Sequence, residues 1–202
     1  MKEFFISFFK LLLAVLLVPV VFASIVCFKD NLASYPQNYD EFFLWGASAF
    51  LLIFLFAYQF WGVFEFGQGI ISGIFKFAAP ADRVLVKLLS FYLIFVLVLF
   101  FFVRSVLDVS TQDHSFMFFS GFFFAMHMLL VAQQMQDEEK TPIKPSYLFW
   151  MSVVVIFNIC LVTFSLDMIM DQSTFASVFR SVVNMAQGIY VDSWDVFTFN
   201  GA

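Results

Sequence analysis

The residues with the greatest chemical potential in this chain are few, and they stand beside or inside oily runs. Residues 63–77 read "VFEFGQGIISGIFKF", placing Glu65 and Gln68 next to Gly67, Gly69, Ser72 and Gly73. Small residues at i and i+4 let two helix backbones approach closely in lipid. His127 sits in "GFFFAMHMLLVAQQM" and Asn158 in "VVVIFNICLV". An ionisable or amide side chain at membrane depth is costly, so each is a functional candidate by default. The simpler alternative is structural: His127 hydrogen-bonded to a neighbouring helix, Asn158 bonded across helices, and Gly67, Gly69, Ser72 and Gly73 forming a packing seam. Glu65 follows an apolar run directly, within reach of an inner interface or of Arg83 or Lys87. The Gly spacing also mimics a dinucleotide loop, but that chemistry needs a strand–loop–helix unit, which such apolar surroundings do not provide.

These residues must be positioned by membrane helices. The 202-residue chain is 62% hydrophobic and 12% charged, with a mean hydropathy of +0.93. Soluble domains carry about twice that share of charge. Phenylalanine supplies 34 residues, large rings that fill gaps between helices and meet lipid well. The net charge of −5 argues against nucleic acid as a partner, since nucleic acid demands basic patches. Cys27 and Cys160 both fall in apolar runs and read as small hydrophobes.

A hydrocarbon core of about 30 Å takes about 20 apolar residues as helix. The sequence predicts an all-α integral membrane protein with about five transmembrane helices: Phe8–Phe28, Phe42–Phe64, Val84–Val103, Phe116–Ala132 and Tyr147–Leu166. The first is expected to be a retained helix rather than a cleaved leader. Lys10, Lys87, Arg104 and Asp167 lie near span ends, where long side chains can snorkel. Residues 1–170 are expected to form the polytopic domain, and 171–202 an amphipathic interfacial helix with a polar tail. Phe175, Val178, Phe179, Val182, Ala186, Ile189 and Tyr190 recur at helical spacing there, with Asp171, Ser173 or Thr174 available as the cap. With the N-terminus inside, the inner segments carry seven Lys and Arg (Lys2, Lys10, Lys76, Arg83, Lys87, Lys140, Lys144) and the outer ones three (Lys29, Arg104, Arg180). That bias places the N-terminus in the cytoplasm and the C-terminus outside.

Two resemblances carry functional implications. "FFLWGASAFLLIFLFAYQFWGVFEFGQGIISGIF" resembles the second-helix region of site-2-protease-type membrane metallopeptidases. "GFFFAMHMLLVAQQMQDEEKTPIKPSYLFWMSVVVIFNICLV" is similar to their later helices, at His127, Pro145, Tyr147 and Asn158. The likeness covers about half of the chain and implies a bacterial inner membrane. In that family two histidines one turn apart hold zinc and a glutamate activates water. Here those positions are Gln68, Gly69 and Ser72, none of which can do that work. The resemblance therefore implies a degenerate relative with no catalytic residue, no metal and no cofactor. Separately, "FRSVVNMAQG" resembles the arginine segment of the rotary ATPase proton-channel subunit, with Arg180, Asn184, Met185 and Gly188 in step; the 22 residues after Arg180 look short and polar for that element.

The expected function is a non-catalytic scaffold or accessory subunit of a larger membrane complex, a pseudo-protease, in contact with lipid and with other membrane subunits. A metallopeptidase-like enzyme with an unrecognised site is one alternative. A small transporter or channel using Glu65, His127 and Asn158 is another.

Overall fold

Helix is the only spanning structure open to a single apolar segment, because each backbone N–H and C=O must be satisfied within it. The computed structural model describes residues 2–35, 38–56, 60–79, 81–107, 113–138, 144–170 and 173–198. Among them there is no strand. The helices are α1 (Lys2–Ser34), α2 (Tyr39–Phe56), α3 (Phe60–Ile74), α4 (Asp82–Leu88), α5 (Phe91–Leu107), α6 (Asp113–Glu138), α7 (Pro145–Met170) and α8 (Phe175–Phe197), with one 3-10 turn at Lys76–Ala78. Four of them are long and apolar enough to cross a membrane: α1, α2, α6 and α7. The chain is thus an all-helical protein with the helices of an integral membrane protein.

The structure departs from the sequence reading in the two middle runs. The run expected over Phe42–Phe64 is shared between α2 and α3. The run expected over Val84–Val103 is broken at Leu89–Ser90, giving the seven-residue α4 and the apolar α5. The break has a local cause: Leu89 is extended (φ −87°, ψ 121°), and the Ser90 hydroxyl then accepts from Leu93 N–H at the start of α5. Lys140 lies outside the described residues, as do the side chains of Lys2, Arg83 and Arg104.

The chain divides into two compact units, residues 32–140 and residues 1–31 with 141–202. In the first, α2 and α6 make the tightest pairing, and two glycines make it possible. A Cβ on Gly46 would lie 1.8 Å from the Phe118 carbonyl oxygen, and one on Gly121 would lie 2.0 Å from that of Phe43. Only hydrogen fits at either position, so the two backbones touch. Around that contact Phe50 is fully buried, its ring centroid 5.4 Å from Phe60 and 5.3 Å from Phe122, both edge-on. Successive contacts (Phe42 with His114, Gly46 with Phe118, Phe64 with His127) show α2 and α3 running parallel to α6. Helix α5 runs the other way along α6, pairing Tyr92 with Phe123 and Phe100 with Phe116.

In the second unit Lys10 Nζ donates to Ser146 Oγ at 2.9 Å, setting the starts of α1 and α7 side by side. Helix α8 then folds back. Phe175 meets Phe164 of α7, and the Tyr190 hydroxyl donates to the Leu16 carbonyl of α1, so α8 runs antiparallel to both. The expected boundary at residue 170 falls at this turn. Asp171 lies outside the described residues, and Thr174 occupies the N-cap position without using its side chain as the cap. Instead, Asp167 in the last turn of α7 accepts from Thr174 N–H (3.0 Å), Thr174 Oγ1 (2.6 Å) and Phe175 N–H (2.7 Å). A carboxylate at a helix N-terminus satisfies orphan donors and meets the positive end of the dipole.

Two predictions follow from these contacts. Gly46→Ala should destabilise the detergent-solubilised protein by about 1–3 kcal/mol through overpacking against backbone, whereas Gly69→Ala and Gly73→Ala should leave its thermal midpoint unchanged or slightly raised. Asp167→Ala should cost about 1–2 kcal/mol and raise protease cutting between α7 and α8 selectively, which limited proteolysis with mass mapping will report.

Candidate functional site

Glu65, Gln68, Gly69 and Ser72 fall at i, i+3, i+4 and i+7 of α3, and that spacing puts them on one face. The face opens onto a polar groove of about 650 Å³, closed on the other sides by Val86 and Lys87 of α4 and by Gln134 and Glu138 of α6. The positions that the metallopeptidase resemblance identified therefore do line one cavity. Their chemistry is amide and hydroxyl. Gln68 Nε2 donates to Gln134 Oε1 at 2.9 Å, bridging α3 and α6. Lys87 Nζ pairs with Glu138 Oε2 at 2.5 Å, bridging α4 and α6. Glu65 Oε1 accepts from Trp61 Nε1 at 2.7 Å, one turn back on its own helix, so the ion pair that the sequence offered between Glu65 and Lys87 forms with Glu138 instead.

His127 is buried behind this groove rather than in it. Its Nε2 lies 3.1 Å from the Lys87 carbonyl oxygen, so the tautomer carrying a proton there donates to the exposed C-terminal end of α4. A seven-residue helix cannot satisfy its own last carbonyls, and the imidazole supplies a donor. Its ring also faces Phe64, 6.2 Å between centroids. His127 thus fixes the backbone that presents Lys87 to the groove. Asn158 is placed in the other unit, fully buried in α7, where Nδ2 donates to the Val154 carbonyl of the same helix at 2.9 Å. His114, the remaining histidine, lies in an aromatic cage with Tyr39 and Phe42.

The small-residue positions separate in use. A Cβ on Gly67 would sit 2.9 Å from the Tyr92 ring, so this glycine makes room for α5, and the Tyr92 hydroxyl donates to the Val63 carbonyl beside it at 2.5 Å. Among the described residues, nothing beyond their own stretch of helix lies within 4 Å of a Cβ on Gly69 or Gly73. The face they share is open, and among the described residues it is Gly46 and Gly121 that press against the backbone of a facing helix.

Sequence reasoning missed Gln134 and Glu138. The signal was present: they stand one turn apart at the polar end of α6, the spacing that faces Gln68 and Lys87 when α3 and α6 run parallel. Among the described residues no three His, Cys, Asp or Glu side chains come together as metal ligands. Comparison with protein-family models, with curated proteins and with solved structures returned no match. Kinship with site-2-protease-type peptidases rests on the quoted residues alone.

The groove's bonds can be weighed separately. A double-mutant cycle on Gln68→Ala and Gln134→Ala should give a coupling of about 0.5–1.5 kcal/mol, while Lys87→Ala with Glu138→Ala, whose carboxylate is half exposed, should give less than about 1 kcal/mol. His127→Ala should cost more than either, about 2–4 kcal/mol, because it leaves a cavity and an unpaired carbonyl together. Chemical unfolding in mixed micelles measures all three.

Proposed function

We propose that this chain is a non-catalytic subunit of a larger membrane assembly, inserted with the N-terminus cytoplasmic in a bacterial inner membrane and with five crossings ahead of α8. The opposed directions of α5 and α6, and the shared direction of α2, α3 and α6, support α5 as the return crossing between two parallel ones. At 17 residues it is about 25 Å long, near the thickness to be crossed.

The observation that carries the reading is the two-sidedness of α8. Its apolar face is laid against α1 and α7 at the levels of Leu16–Ser24 and Ile156–Thr163, in the middle of two helices of membrane-spanning length. The opposite face carries Ser181, Asn184, Asp192 and Asp195, all exposed. A polar stripe held alongside spanning helices is expensive against hydrocarbon, and another polypeptide that supplies hydrogen bonds removes that expense. The expected alternative, an interfacial helix, meets the same demand only by leaving its place beside α1 and α7. The degenerate metallopeptidase reading adds a second partner surface, the open Gly69–Gly73 face beside a groove already bridged by Gln68 and Gln134.

A second reading has its own support. Arg180, Asn184 and Gly188 recur every fourth residue along the exposed side of α8, as in the proton-channel segment they resemble, and that helix spans 23 residues, or about 34 Å. In this reading the partner-facing stripe conducts protons together with another subunit.

Both readings are tested by a photo-crosslinking residue placed at Asn184 in native membranes. Covalent capture of a different polypeptide is expected; capture of lipid alone, as at the outward-facing Phe101, would contradict the assembly reading. Abolished proton flux on Arg180→Gln in vesicles holding the captured complex selects the second reading, and unchanged or absent wild-type flux selects the first.

A further inference from the structure

The second unit holds a cleft of about 280 Å³ between α1, α7 and α8. We propose that it takes one acyl chain of a bilayer phospholipid. The lining decides the chemistry of the occupant. Three hydroxyls border the space, and each is spent on a backbone carbonyl: Ser24 on Val20 (2.7 Å), Thr163 on Ile159 (2.9 Å) and Tyr190 on Leu16. Cys160 contributes a thiol that behaves as a small hydrophobe, and Gln187 is exposed at the rim. What remains toward the interior is hydrocarbon, including Ile156, Val182 and Ala186.

Water is a poor tenant of such a space, since it needs two to four polar partners, and an apolar cavity of about half this volume already admits benzene. A headgroup or polar metabolite fails for the same reason. The remaining candidates are apolar, and depth selects among them. The cleft lies at Val20–Ser24 within Phe5–Ser34 and at Ile156–Thr163 within Pro145–Ile169, so it opens at the level where the surrounding solvent is lipid tail. A thin chain supplied at that depth at solvent concentration fits without new polar contacts. The inference rests on the membrane character of the helices and not on the assembly reading, because Ala186 faces the cleft and the polar stripe lies on the other side of α8.

The test uses the full chain in phosphatidylcholine vesicles doped with phosphatidylcholine carrying a mid-chain diazirine. Irradiation and peptide mapping should place adducts on the segments containing Cys160 and Ala186, besides outward-facing residues such as Phe101. Filling the cleft with Ala186→Phe, or separately with Cys160→Phe should the first variant fail to fold, should abolish the cleft adducts and leave those at Phe101. Adducts confined to outward-facing residues in the wild type overturn the proposal without recourse to either variant. So do cleft adducts that persist undiminished in a folded filled variant.

Discussion

Two apolar helices in lipid gain nothing by hiding from their solvent, so they must hold each other through close contact and internal hydrogen bonds. The residues 32–140 answer that demand at one point. Gly46 and Gly121 each present a bare backbone to a carbonyl of the facing helix, and α2 and α6 meet with no side chain between them. Helix α3 also runs parallel to α6, and Gln68 meets Gln134 there while Lys87 of α4 meets Glu138. Phenylalanine fills what the glycines leave: rings at Phe50, Phe60 and Phe122 interlock edge to face around the seam.

The other unit solves the problem differently. Among the described residues, Gly188 of α8 has nothing beyond its own stretch of helix within 4 Å of a Cβ position. Direction is imposed at the turn, where the Asp167 carboxylate gathers three donors from Thr174 and Phe175 and sends α8 back along α7. Tyr190 then ties the helix to α1. Between those two polar ties lies the cleft lined by α1, α7 and α8. The same arrangement leaves half of α8 without an apolar cover.

Much of this was legible in the residues. Hydropathy alone located α1, α2, α6 and α7, and the apolar spacing from Phe175 to Tyr190 identified the face of α8 that borders the cleft. The metallopeptidase resemblance singled out Gln68, Gly69 and Ser72, and those three line the groove. What escaped were the relations between segments. Nothing in "LWGASAF" or "FFSGFFF" says that their glycines face each other, although small residues inside aromatic runs are the right signal. The break at Leu89–Ser90 contains neither Gly nor Pro and is invisible to hydropathy. Asp167 looked like a charge resting at a span end, because its role depends on where the chain turns after it.

The central claim is that another polypeptide covers the polar side of α8 in the membrane. Native mass measurement on protein cut from its own membrane in polymer-bounded discs, without detergent, addresses that claim directly. The account predicts that the 23.3 kDa chain is found within a heavier particle containing at least one different polypeptide. A homogeneous single chain carrying only lipid would contradict it.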